Sequence, residues 1–246
     1  MKVGIYVDAF NLYYGGRSQC GRGIAGWRWL DVRGLVAQFI GWPSAVIDRI
    51  VYCTARVDQV ETPGSRRDQD MYIAALQYSG SVTVVEEGRY VSWAKDGPLT
   101  ATRHSGPHPS LYQVTGQEIL DPVLPLVVAH NANVGHDVIL ATTRKREEKG
   151  SDVNVAAHLL CDVLTGAVEA AVVITNDSDL GLPLRMVRDV VPVGTINPQI
   201  GYTAGALRGH TTDGVGSHWW RQLHAPDFVS HQLPDPVGPY RKPAGW

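Results

Sequence analysis

The chain has 246 residues, 44% of them apolar and 19% charged, long enough to bury a real core and too apolar for a disordered chain. Its 22 Lys and Arg against 24 Asp and Glu leave a formal charge of -2, which excludes a bulk electrostatic pull toward nucleic acid or membrane. Three widely spaced cysteines, Cys20, Cys53 and Cys161, exclude a disulfide framework or a Cys-rich zinc site and point to a reduced, cytoplasmic chain. The opening MKVGIYVDAF is broken by Asp8, so it reads as neither a leader nor a membrane span, and no membrane partner is expected.

In chain order, KVGIYV (2–7) is an apolar run ending at Asp8, the pattern of a strand buried on both faces. A glycine-rich stretch, GGRSQCGRGIAG (15–26), reads as a loop, and DVRGLVAQFI (31–40) reads as a helix stopped by Gly41 and Pro43. A strand over 46–56, a helix over 66–78 and a strand over 81–88 continue the alternation. Residues 92–136 lose it, being rich in Pro, Gly and His, and read as an insertion into the domain. Regularity returns with a strand at 137–143, a helix at 152–165, a strand at 170–175, a helix at 180–190 and a strand at 192–196. A domain over 1–200 is therefore expected, followed by a 201–246 extension that packs on it and carries a short helix near 217–223. The fold class is α/β, a three-layer α/β/α sandwich around a mostly parallel central sheet.

The acidic residues fall at ends of these elements. Asp8 closes the first strand, Asp177 and Asp179 follow AAVVIT in the segment TNDSD, and Asp152 opens a helix in KGSDVN. In an open parallel sheet ligands bind beyond the carboxyl edge, where these groups converge. Crowded carboxylates repel, and a hard divalent cation is the usual remedy, so Mg²⁺ or Mn²⁺ activating water for phosphodiester hydrolysis is the chemistry expected. Taken singly, each has a plainer use: Asp8 as a turn or helix cap, Asp152 as an N-cap, TNDSD as an Asx turn.

VDAFNLYYG (7–15), EEKGSDVNVAAHLL (147–160), VVITNDSDLGLPLRMVRD (172–189) and PVGTINP (192–198) resemble the NYN domain, a branch of the PIN-like and FLAP-nuclease-like superfamily. The resemblance implies a Rossmannoid (PIN-like) fold and a metal-dependent ribonuclease site. Asp8, Asn11, Asp152, Asp177 and Asp179 match the family's functional positions, and the closing RKPAGW resembles a bacterial subgroup. One position departs: His158 stands where many NYN domains carry a further aspartate. An α-helix places it about 9 Å along the axis from Asp152, so it does not replace a ligand of the same ion. Asp162, one turn further, reads as a solvated helix residue.

Lys149, Arg144 and Arg146 precede Asp152, Arg17 follows Asp8, and Ser178 lies between the paired aspartates; these are the candidate substrate contacts, each equally readable as solvated surface. The function expected is thus that of a hydrolase, an endoribonuclease using Mg²⁺ or Mn²⁺, with RNA as partner and homodimerisation open. A non-catalytic RNA-binding module of the same fold and an Asp-x-Asp nucleotide-sugar transferase stand as alternatives. GRGIAG (21–26) fits a dinucleotide fingerprint but lacks a strand directly before it. His104 and His108 form an i,i+4 pair in a Pro-rich loop, a weak zinc signal.

Overall fold

The computed structural model describes residues 1–57, 62–102 and 109–246. Its elements are β1 (Lys2–Asp8), α1 (Ala9–Cys20), α2 (Val32–Ala37), β2 (Val46–Ala55), α3 (Pro63–Tyr78), β3 (Val84–Pro98), β4 (Leu126–Asn131), β5 (His136–Lys149), α4 (Ser151–Leu164), β6 (Ala170–Ile174), α5 (Gly181–Arg188), β7 (Val193–Asn197), α6 (Gly205–Arg208), β8 (Trp219–Gln222) and α7 (Ala225–Ser230). A short 3-10 turn, Ser178–Leu180, leads into α5. The strand order is β4-β5-β3-β2-β1-β6-β7-β8. The chain forms two compact units, one made of Met1–Tyr90 with Glu148–Trp246 and the other of Val91–Glu147.

In the larger unit every strand pairing is parallel, from β3 through β2, β1, β6 and β7 to β8. The period of two along the strands explains the layers. Val3, Ile5 and Val7 of β1, with Val172 and Ile174 of β6, face a core completed by Leu12, Leu35, Ile73, Leu76 and Phe228. Tyr6, Ala171 and Val173 face the opposite core, which α4, α5 and α6 fill with Val155, Leu159, Leu184, Val187 and Leu207. The molecule is therefore an α/β sandwich with a mostly parallel sheet between two helical layers. Burial on both faces is why β1, β6 and β7 read as continuous apolar runs.

Two local expectations are corrected. The glycine-rich stretch does not begin a loop at residue 15, because α1 continues to Cys20. Gly15 and Gly16 are there for closeness: a Cβ on Gly15 would strike the Pro198 carbonyl, and one on Gly16 would lie 2.8 Å from the Trp27 ring and 2.9 Å from Phe228. The segment near 217–223 is a strand, β8, paired in parallel with β7 through Gly194↔Trp219 to Asn197↔Gln222. Aromatic residues in a short run suit a pleated edge better than a helix. Downstream, Leu223, Phe228, Leu233 and Val237 enter the first core.

In the smaller unit, the strand expected at 137–143 runs longer, and β4 and β5 pair antiparallel from Leu126↔Ala141 to Asn131↔His136. His104 and His108 lie outside the described residues.

Candidate active site

β1 hands directly to α1 with no intervening residue, so Asp8 is at once the last strand residue and the helix N-cap. Its carboxylate is 1% exposed. Oδ1 accepts the Asn11 backbone N–H at 2.9 Å, while Oδ2 accepts the Asn11 side-chain amide at 2.6 Å and the Thr175 hydroxyl at 3.1 Å. Burial pushes its pKa above the usual carboxylate range, these hydrogen bonds pull it back, and Asp177 adds a further upward push. Asn11 sits within the first turn of α1 and orients Asp8. Its amide oxygen accepts the Asn176 backbone N–H at 3.2 Å and the Gln199 amide at 3.3 Å.

Asp177 caps the short turn that follows β6, accepting the Asp179 N–H at 2.9 Å, and its own N–H donates to the Thr175 hydroxyl at 3.1 Å. Asp179 and Ser178 are exposed. Asp152 lies in the first turn of α4, whose N-cap is Gly150 with φ of 105°, a left-handed conformation that suits glycine. Glu148 takes the Ser151 N–H at 3.1 Å and the Ser151 hydroxyl at 2.6 Å. Gly88 makes room for this turn, since a Cβ there would stand 2.5 Å from Glu148 Oε1 and 2.6 Å from the Lys149 carbonyl.

Asp152 differs from its neighbours. Half-buried, its carboxylate receives no hydrogen bond among the described residues, and burial together with the charges of Asp8, Asp177, Glu148 and Asp179 raises its pKa to about 6. The same negative field, led by burial and Glu86, lifts the Cys53 thiol to about 12, which leaves it an inert core group. The rim therefore gathers Asp8, Asp152, Asp177, Asp179 and Glu148 into one acidic field, in which Asp152 exchanges a proton near neutrality.

Arg17 is in the last turns of α1, roughly 13 Å along the helix from Asp8, with its guanidinium 5.9 Å from the Tyr14 ring. Arg144 and Arg146 lie on β5 in the smaller unit, and Lys149 ends that strand. His158 joins a structural network: its Nε2 lies 3.1 Å from Glu86 and its Nδ1 3.1 Å from Arg49. Asp162 is no solvated residue. It is 5% exposed, accepts the Tyr6 hydroxyl at 3.0 Å and pairs with Arg49 at 3.2 Å.

Sequence reasoning missed Thr175, Glu148, Asn176 and Gln199. Thr175 had a signal, a hydroxyl closing an otherwise apolar strand; Glu148 had another, an acid three residues before the helix start. Asn176 holds the rim by accepting the Ala204 N–H at 2.8 Å. Gln199 arrives from beyond β7 with no local sign of its partner.

No protein-family model matches the chain. A curated protein of Pseudomonas putida, 6-hydroxy-3-succinoylpyridine 3-monooxygenase HspA, is 28% identical over 265 residues that take in 99% of this chain and 73% of that protein. Among solved structures, a protein of unknown function from Vibrio parahaemolyticus aligns with a TM-score of 0.43 and 13% identity, covering 90% of this chain and 92% of that one.

The Pseudomonas relative overturns the nuclease expectation. It is named a monooxygenase, so the hydrolase and endoribonuclease reading is corrected, and the two alternatives beside it draw no support from this relative. The Mg²⁺ or Mn²⁺ site is corrected with it: among the described residues no three His, Cys, Asp or Glu side chains are placed to hold one ion. The physical reason is visible in the hydrogen bonds. Asp8, Asp177 and Glu148 turn oxygens to backbone N–H and hydroxyl donors at element ends, which leaves those oxygens engaged by the protein.

A phosphate-bearing flavin or nicotinamide, the usual redox group for such chemistry, does not fit this rim as Rossmann sites hold one. Those sites bring a pyrophosphate to a helix N-terminus over a glycine turn. Here no turn separates β1 from α1, and the Asp8 carboxylate already occupies the anion position at that helix. Asp177 fills the equivalent place after β6 and Glu148 the one at α4. Among the described residues, no helix is long and apolar enough to cross a membrane.

Proposed function

We propose that the chain is an oxidoreductase of the monooxygenase type acting on a small hydroxylated nitrogen heteroaromatic, with the acidic rim as its proton-handling centre. The similarity to the Pseudomonas monooxygenase along 99% of the chain carries this reading. On this reading the NYN-like scaffold suggested by VDAFNL, KGSDVN and TNDSD is retained while its chemistry differs. Three free cysteines support a cytoplasmic setting.

In such a reaction one atom of O₂ enters the ring and the other leaves as water, which takes two protons and two electrons. Those electrons would come from an external reductant of the reduced nicotinamide or flavin class, which this rim does not hold as Rossmann sites do. The chain's own part is protonic. Asp152, ionised above about pH 6 and unengaged by donors among the described residues, accepts the proton of the ring hydroxyl. In a 6-hydroxypyridine the carbon at position 3 is para to that hydroxyl, so deprotonation raises electron density there; on a 3-acyl ring, oxygen entering at that carbon displaces the acyl group, which departs to water as its carboxylic acid. Asp8, fixed by Asn11 and Thr175, keeps a negative field beside Asp152 and holds its proton affinity up.

The test is aerobic turnover. Purified protein receives a 3-acyl-6-hydroxypyridine with reduced nicotinamide and added flavin, and O₂ uptake and substrate oxidation are followed by mass spectrometry. Substrate-dependent O₂ uptake is expected for the wild type and its loss for Asp152→Asn. A protein that consumes no O₂ with any hydroxypyridine of a panel is not this enzyme.

A further inference from the structure

The two ends of the strand order are built differently. β8 at one end is four residues long and carries Arg221, both ordinary protections of a sheet edge. β4 at the other end, LVVAHN, has six residues, no Lys, Arg, Asp, Glu or Pro, and no bulge in its pairing with β5. Its exposure is also unusual, with Val127 62% and Val128 44% accessible and Ile119, Val123 and Leu124 open to solvent in the segment before it. A long, flat, neutral and apolar edge is a template for another strand.

The hydrogen-bond parity says which atoms are on offer. The Thr142 N–H donates to the Pro125 carbonyl at 3.0 Å, and the register pairs Leu126 with Ala141 and Ala129 with Val138. In an antiparallel ladder bonded and non-bonded pairs alternate, so Val127, Ala129 and Asn131 bond inward to β5. Leu126, Val128 and His130 then turn their backbone groups outward. Among the described residues no strand pairs with that side, and the Leu126 N–H bends back to Leu124.

We propose that β4 pairs antiparallel with β4 of a second copy of this chain across a two-fold axis at Val128. The register follows from parity: Val128 faces Val128 of the partner and exchanges both bonds with it, and Leu126 and His130 face each other on either side. Charge selects a second copy as the occupant. The two-fold register sets Val128 against Val128, Leu126 against His130 and Val127 against Ala129, so no acid, Lys or Arg meets its like and the edge is complementary to itself. His130 is held by Asp137 of β5 at 2.9 Å, inside its own chain.

The test is the solution mass of the whole protein, by sedimentation or light scattering at tens of micromolar. Wild type is expected at twice the 26.8 kDa chain mass. Val128→Pro removes an outward N–H and leaves the inward ladder to β5 intact, so a folded monomer with unchanged far-UV circular dichroism is expected. As a second readout, Val128→Cys brings Cα atoms to about 5.5 Å across the axis, within disulfide reach, and mild oxidation should give a cross-linked dimer that wild type does not form. A monomeric wild type overturns the proposal, even if the edge captures a strand of another protein. So does a dimer that survives Val128→Pro, or one that Val128→Cys does not cross-link.

Discussion

Asn11 holds Asp8 through both its backbone and its side chain: the N–H reaches Oδ1 at 2.9 Å and the amide reaches Oδ2 at 2.6 Å. Asn11→Ala removes the shorter bond and also orphans the Asn176 N–H, and a buried group left unpaired costs about 1–3 kcal/mol. That loss should appear in urea unfolding. Asn11→Asp keeps the shape but sets a second acid against Asp8, so its deficit should be larger at pH 8 than at pH 5.

If Asp152 accepts the substrate proton, it must be ionised. With its pKa raised to about 6, turnover should climb through pH 5 to 7 and level off above. Asn11→Asp adds negative field and should move the midpoint upward. A rate that is flat from pH 5 to 8 contradicts the role given to Asp152.

The same group makes a stability prediction whose sign is set by linkage. Its folded pKa, about 6, lies above the ordinary value of 3.8. The protonated form is therefore the better tolerated one: the contribution of Asp152 to stability is greatest below about pH 4, falls as pH rises toward 6, and stays reduced above. Asp152→Asn should then stabilise the protein at pH 7.5. Solvent screening of a half-exposed group reduces the gain to on the order of 1 kcal/mol, about 2–4 °C in melting temperature, while activity is lost. Calorimetry at pH 4 and pH 7.5 checks it, with no gain expected at pH 4.

Gly16→Ala sets two effects against each other. Helix propensity favours Ala by about 1 kcal/mol. The new methyl would meet the Trp27 ring at 2.8 Å and Phe228 at 2.9 Å, and overpacking of a filled core costs about 1–3 kcal/mol. Both neighbours are buried rings, 2% and 1% exposed, so the clash should win and the melting temperature should fall.

Asp162 balances Arg49 and the Tyr6 hydroxyl beneath α4. Asp162→Ala leaves both without their acceptor. Because the Arg49 side chain is 34% exposed, the cost should sit near the low end for a broken buried pair, about 2–3 kcal/mol. Tyr6→Phe leaves the ion pair in place and should cost less, about 1 kcal/mol. Denaturant midpoints of the two variants test that order.

Local patterning carried much of the architecture. Runs such as KVGIYV and AAVVIT are apolar because both sheet faces are covered, and that property is written in neighbouring residues. The placement of Asp8, Asp152 and Asp177 at element ends was legible for the same reason, since each interrupts or adjoins such a run. What those carboxylates do was not legible, because it depends on donors far away in the chain. Thr175 reaches Asp8 across 167 positions, and Gln199 reaches Asn11 across 188.

By itself, then, the sequence determined the α/β alternation, the parallel strands and which acids terminate them, since hydrophobic periodicity is a short-range property of the chain. Only the tertiary structure decided that Gly15 and Gly16 belong to a helix, because the groups that forbid a side chain there come from Trp27, Pro198 and Phe228. It also decided that Asp162 of α4 is buried, because Tyr6 of β1 and Arg49 of β2 arrive to satisfy it. The tertiary structure alone likewise separated Asp152 from the acids around it. Hydrogen bonds engage Asp8, Asp177 and Glu148 at element ends, while burial and the field of those neighbours raise the Asp152 carboxyl to about 6.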